Sequence, residues 1–322
     1  MVLLALALVL AAVASLALGS RLVAPEAVWH ALTRPDGSVE SEVVRGLRVP
    51  RTVAALAVGA ALGLAGTVMQ ALTRNPVADP GILGVNAGAG LAVVSTVALT
   101  GAGDHMRNIV VAVIGALIAS AAVQVLSGAG GRSGAPARLA LAGVAVSAAL
   151  SSLAQAVVLS NQVAFNEFRH WVSGSLEGRG TDILLAAAPL LLAGTVLALA
   201  IGPALGVIAL GDDVATGLGV NVALVRTTGL GAVAMLCGAA TAVAGPLTFV
   251  GLAVPLVARR LVGEGPRWAA GVAVLLGAVW VAVADVVARL VVLPREVPVG
   301  VVLAIIGAPF FIALVRTRRG LS

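Results

Sequence analysis

Asp285 has the strongest claim to chemistry in this sequence. It lies inside an apolar run, and Arg289 follows four residues later, so the two share one helix face. An ionisable group at membrane depth marks function by default. At this spacing, however, the first reading is a structural ion pair near the outer end of its helix. Asp212 and Asp213 stand together in GDDVATGLGV. Paired carboxylates could suggest a metal, but no further carboxylate is near in sequence. They suit a short surface helix instead: Asp212 can cap it, Asp213 favours the positive end of its dipole, and Gly219 can end it. His30, His105 and His170 lie far apart in polar breaks, and none belongs to the H-E-x-x-H pair of zinc hydrolases. Cys237 is the single cysteine, which excludes an internal disulfide and a cysteine-rich metal site. No reaction follows from these residues, and no cofactor or metal is expected on the chain. A scaffold that passes a substrate is the better reading.

The elements that must hold these residues are apolar runs. Of 322 residues, 60% are hydrophobic and 11% charged, with a mean hydropathy of +1.10. A soluble domain of this length needs more charge to cover its surface. A bilayer core takes roughly 20 apolar residues per helix, and ten such runs nearly exhaust the sequence: about 1–18, 52–72, 82–100, 108–127, 139–160, 183–202, 226–244, 247–261, 268–290 and 298–315. The expectation is one all-α polytopic membrane domain over residues 1–322. The first run lacks the basic start and short core of a cleaved signal peptide, so it reads as a transmembrane helix. Residues 19–47 read as an extramembrane loop with a short interfacial helix from Pro25 through Leu32 carrying Trp29. Residues 161–182 read as a polar, turn-rich cap. In the second run Gly59, Gly63 and Gly66 are spaced four and three apart, which strips one face for close helix packing.

The net charge is +6, and all 20 basic residues are arginine. They are scattered over loops on both sides, which argues against nucleic acid as a partner. With both termini inside, ten arginines fall on each side, so arginine bias does not orient the chain. Without lysine there is no phosphate-binding G-x-x-x-x-G-K-[ST] loop. If ATP drives transport, another subunit binds it. An ion-coupled secondary transporter would need a carboxylate cluster at the midplane, and only Asp285 comes near. An intramembrane prenyl or lipid transferase would need paired Asp-rich motifs, and only Asp212-Asp213 exists.

Four stretches carry a resemblance: RVPRTVAALAVGAALGLAGTVMQALTRNPVADPGILGV (48–85), ALGDDVATGLGVN (209–221), AGPLTFVGLAVPLVARRLVG (244–263) and ADVVARL…EVPVGVVLAIIGAPFF (284–311). In order and spacing the chain resembles the ten-helix permease of type II ATP-binding-cassette importers for iron–siderophores, haem and vitamin B12. The resemblance implies a bacterial cytoplasmic (inner) membrane protein with both termini cytoplasmic, surrounded by membrane lipid. It implies a second permease, identical or a paired paralogue, and two cytoplasmic ATP-binding subunits that hold the ATP and Mg. It also implies an extracytoplasmic substrate-binding protein. Ferric siderophore is the implied cargo, with haem or vitamin B12 as alternatives. Arg48, Arg51 and Arg289 match arginines that dock the binding protein. The 212–219 helix, with Asp212, Asp213, Val214, Leu218 and Gly219, matches the coupling helix that sits on the ATPase. Asn75, Pro76 and Val77 match the cytoplasmic gate. A second gate element carries hydroxyl residues in the family, and this chain has Ala135-Pro136 there.

Overall fold

The computed structural model describes residues 1–19, 22–34, 36–101, 105–128, 135–263 and 265–319, and every regular element among them is helical. The chain opens with α1 (Val2–Ala17), α2 (Pro25–Thr33) and α3 (Val39–Glu42), then α4 (Val49–Thr73), α5 (Val85–Thr100), α6 (His105–Ser127) and α7 (Ala135–Ser160). It continues through α8 (Gln162–Val172), α9 (Thr181–Ile208), α10 (Asp212–Gly217), α11 (Val222–Ala244), α12 (Val250–Val262), α13 (Pro266–Leu290) and α14 (Val299–Arg319). The ten expected apolar runs correspond to α1, α4 to α7, α9 and α11 to α14. Among the described residues, six helices are long and apolar enough to cross a membrane by length and composition alone: the run ending in α4, then α6, α7, α9, α11 and α13. α1, α5 and α14 contribute shorter apolar stretches, and α12 has 13 residues.

α4 is the axis of the bundle. It is buried over most of its length and packs against α13, α12, α11 and α9. The glycine spacing explains how. A Cβ on Gly59 would lie 2.1 Å from the Gly277 carbonyl oxygen, one on Gly63 2.3 Å from that of Ala273, and one on Gly66 2.0 Å from that of Gly251. Only hydrogen fits at these three positions, so the stripped face brings the backbones of α12 and α13 directly against α4.

Two expectations need correction. Residues 39–48 are helical rather than loop, running into α4 through a π-helical turn at Val43–Arg48. Pro50 supplies the reason: its ring has no N–H and clashes with the carbonyl four residues back, and a wider turn relieves both. The loop reading stands for α2, which matches the expected short helix and leaves Trp29 exposed. The polar 161–182 stretch also contains a full helix, α8. Ala164, Phe168 and Trp171 recur at helical spacing and face the bundle, and the Asn161 side chain caps the first turn by accepting the Ala164 N–H at 2.9 Å. Its other positions mix polar residues with the exposed Val163, Phe165 and Val172, which blurred the pattern.

Candidate functional site

The charged residues gather at the two ends of α4. At the N-terminal end, α1 finishes with unpaired backbone carbonyls. Arg48 answers them: its Nη1 donates to the carbonyls of Leu16 at 2.7 Å and Ala17 at 2.8 Å. Arg289 adds a second clamp, with Nη1 donating to the Ser15 carbonyl at 3.0 Å and Nη2 to Ser15 Oγ at 2.9 Å. Cations at a helix C-terminus also complement its dipole. Ser15 in turn shares a 2.7 Å hydrogen bond with Thr52, joining α1 to α4.

Asp285 sits beneath this clamp and is 0% exposed. The expected pair with Arg289 is present, Nη2 to Oδ2 at 3.2 Å. The stronger partner is Arg51, 234 residues away in sequence. Its Nε donates to both Asp285 oxygens at 3.0 Å and its Nη2 to Oδ1 at 2.9 Å. Arg51 Nη1 reaches outward to Glu296 at 2.6 Å. The three arginines therefore do not project freely. Arg48 is 6% exposed and Arg289 3%, and both are engaged within the chain. They nevertheless line, with Arg51, Arg179, Glu177 and Glu296, a cavity of about 470 Å³ at this end. Burial lowers the pKa of Arg179 in the loop before α9, and the charge of Glu167 opposes that shift. The carboxylates at this cluster balance most of the cationic charge.

At the other end α4 stops at Thr73, and Arg74 takes the left-handed conformation with φ of 49°. Asn75 Oδ1 accepts the Val77 N–H at 3.0 Å, folding Asn75, Pro76 and Val77 into a tight turn that leaves Asn75 and Val77 exposed. Ala135 and Pro136 open α7. Their side chains lie outside the described residues.

Beside this turn stands α10. The expected capping role of Asp212 is corrected. Gly211 is the cap position, no side chain caps the helix, and Asp212 is its first residue. Asp212 instead bridges two helices, accepting from Arg74 at 2.8 Å and from Arg226 at 2.8 Å. The regular helix ends at Gly217, and Gly219 terminates it as expected, in the left-handed region with φ of +82° and with its N–H donating to the Thr216 carbonyl at 2.9 Å and that of Val220 to the Ala215 carbonyl at 2.9 Å. Ala215 is buried against the bundle, whereas Val214 is 47% and Leu218 65% exposed. α10 is thus locked to the ends of α4 and α11 on one side and presents two aliphatic side chains on the other. Asp213 remains in the first turn, beside the positive end of the dipole.

Sequence reasoning found Arg289 with Asp285 through the four-residue spacing. It missed Arg51 with Asp285, Glu296, and the bridge through Arg74 and Arg226, because nothing local links positions hundreds of residues apart.

Comparison with known proteins adds a second line. The sequence model of the FecCD transport family matches residues 7–317. The chain is 43% identical over 314 residues to the ferric enterobactin transport system permease protein FepD of Escherichia coli (strain K12), covering 97% of this chain and 93% of that protein. It is 41% identical to the Fe(3+)-citrate import system permease protein YfmD of Bacillus subtilis (strain 168), covering 89% and 85%. It is 36% identical to the hemin transport system permease protein HmuU of Yersinia pestis, covering 91% and 85%. A solved inward-facing structure of a metal-chelate type ABC transporter superposes with a TM-score of 0.86 at 27% identity, covering 98% of this chain and 97% of that one.

Proposed function

The chain belongs to the FecCD transport family, and from that membership we propose that it is the membrane permease of an importer for ferric–siderophore complexes. Two such permeases, identical or paired paralogues, enclose the path. Two cytoplasmic subunits bind and hydrolyse ATP with Mg, and an extracytoplasmic protein delivers the chelate. The relatives named for ferric enterobactin and ferric citrate support this cargo, and the one named for hemin supports haem as the alternative. Both termini lie in the cytoplasm, which puts α10 on the ATPase side.

One observation carries the reading. α10 is fastened to α4 and α11 through Asp212, yet it holds Val214 and Leu218 out toward solvent. A rigidly attached helix with an uncovered aliphatic face is what a separate motor subunit needs in order to push on α4. Movement of α4 would then act on the Asn75–Val77 turn, the inner gate. At the opposite end, the arginine-lined cavity offers cationic edges to acidic groups on the delivery protein. Complementary charge of this kind orients a transient partner without a large apolar interface.

The test is copurification. Val214→Asp with Leu218→Asp removes the apolar face without touching the Asp212 bridge. The ATPase subunit is expected to be lost from the purified complex while the permease keeps its stability. Retention of the full complex contradicts the coupling role.

A further inference from the structure

The glycine-stripped face of α4 ends on a polar residue. Gln70 stands four residues after Gly66, so it continues the face that meets α12. An apolar side chain would suit a position that is 3% exposed, and a buried amide is costly unless its hydrogen bonds are made. Gln70 makes them with two separate segments. Its Nε2 donates to the Leu252 carbonyl of α12 at 3.1 Å and to the Ala78 carbonyl at 3.3 Å, and its Oε1 accepts from Arg259 Nη2. Leu252 and Arg259 are both in α12, about two turns apart on one face, and the arginine side chain leans back toward the helix start to reach the amide.

Ala78 is the inner anchor of the Asn75–Val77 turn. Asn75 and Val77 are exposed, whereas Ala78 is buried, and its N–H closes the turn onto the Asn75 carbonyl at 3.1 Å. The other end of the turn returns to the same residue: the Asn75 N–H donates to the Gln70 carbonyl at 3.2 Å. One residue therefore holds both ends of the turn, by its main chain at Asn75 and by its side chain at Ala78. Arg74, one helical turn further on, reaches Asp212 of α10 at 2.8 Å. The link to α10 and the hold on the turn thus stand side by side on the end of α4, and α12 grips the second of them through Arg259.

We propose that Gln70 is the positioning residue of the inner gate, with Arg259 as its anchor on α12. Displacement of α4 relative to α12 shifts the amide, and the turn held at both its ends shifts with it. A push on α10 is thereby converted into a movement of Asn75 and Val77. This inference rests on the reading of Asn75–Val77 as the gate and of α10 as the ATPase contact.

The experiment uses the complete complex in lipid nanodiscs, with Val77→Cys as the reporter. The native Cys237 is buried, and its slow reaction is subtracted with the chain that lacks the reporter. Reaction with a hydrophilic maleimide is timed with and without ATP. Uptake of labelled ferric iron on a catecholate, hydroxamate or citrate chelator is measured per ATP hydrolysed in sealed vesicles. Gln70→Glu keeps an acceptor for Arg259 and removes the donor for Ala78 and Leu252. It should lose the ATP dependence of the Val77→Cys reaction and lower uptake per ATP by roughly fivefold or more, the equivalent of one hydrogen bond of about 1 kcal/mol. The unfolding midpoint of the complex should be retained. Arg259→Gln should do the same, and the joint change should do no more than either alone, because both act on the turn through one amide. A Gln70→Glu complex that keeps the ATP response and the uptake ratio overturns the proposal, as does an additive joint change or a loss that merely tracks a lowered midpoint. If Gln70→Glu fails to fold, Arg259→Gln decides by the same measures. A Val77→Cys reaction that ignores ATP in the otherwise unmodified complex contradicts the gate reading itself, and the positioning role falls with it.

Discussion

Replacing Asp285 with asparagine exposes the energetics of the outer cluster. The carboxylate is 0% exposed and accepts from Arg51 at 3.0, 3.0 and 2.9 Å and from Arg289 at 3.2 Å. Asparagine keeps the shape, removes the charge and turns an amide donor toward two guanidinium groups. Removing one partner of a buried ion pair costs about 3–5 kcal/mol, because the surviving charge stays buried. Glu296→Gln is the internal control. Its bond to Arg51 is short at 2.6 Å, but the side chain is 20% exposed. Glu296 keeps some access to solvent, and its loss leaves Arg51 still held by Asp285, so this change should cost less than Asp285→Asn. Asp285→Asn should therefore be the more destabilising of the two, and its ~3 kcal/mol lower bound corresponds to more than a hundredfold in the unfolding equilibrium. Denaturant unfolding of the purified chain in a mild detergent measures both. Joint replacement Arg51→Met with Asp285→Leu should cost less than the sum of its single changes, since neither removed charge then orphans the other, although Arg289 and Glu296 each lose a partner. If Asp285→Asn costs no more than Glu296→Gln, the buried network is not what holds α1, α4 and α13 together.

Other expectations follow from the same contacts. Gly66→Ala should destabilise by about 1–3 kcal/mol or prevent folding, because its Cβ would meet the Gly251 carbonyl oxygen at 2.0 Å; unfolding midpoints against Gly46→Ala, which meets nothing within 4 Å, provide the comparison. Asp212→Ala removes both ion pairs that tie α10 to Arg74 and Arg226 and leaves the Ala215 packing in place. It should leave ATP hydrolysis running in the complex while chelate uptake falls, and a proportional fall in both would remove the transmission role. Arg48→Gln, which spares the Arg51–Asp285 pair, should weaken the stimulation of ATP hydrolysis by the binding protein, with basal hydrolysis surviving in the folded fraction; unchanged stimulation removes Arg48 from docking.

Much of this was legible in the chain because membranes simplify the code. Long uncharged runs mark the helices, and the Gly59, Gly63 and Gly66 spacing announces a face of close approach. That spacing does not name its partners, Gly277, Ala273 and Gly251, because contact between distant segments leaves no local period. Asp285 and Arg289 could be paired by helical geometry, whereas Arg51 could not. The role of Asp212 was misjudged for a related reason. Beside a glycine and ahead of a short helix, an aspartate looks like a cap, and only the fold brings Arg74 and Arg226 to it. α8 was hidden because its outer face mixes polar residues with Val163, Phe165 and Val172, and the π-helical turn before α4 by Pro50, which locally reads as a break.

Transport measured directly in sealed vesicles tests the central claim. The complete complex is reconstituted with its binding protein outside and supplied with labelled ferric iron on catecholate, hydroxamate or citrate chelators. Uptake is expected to require enclosed ATP and the binding protein, to survive an uncoupler, and to be lost with Val214→Asp and Leu218→Asp. Uptake that persists without ATP and collapses with an uncoupler would contradict the account and make the chain an ion-driven carrier.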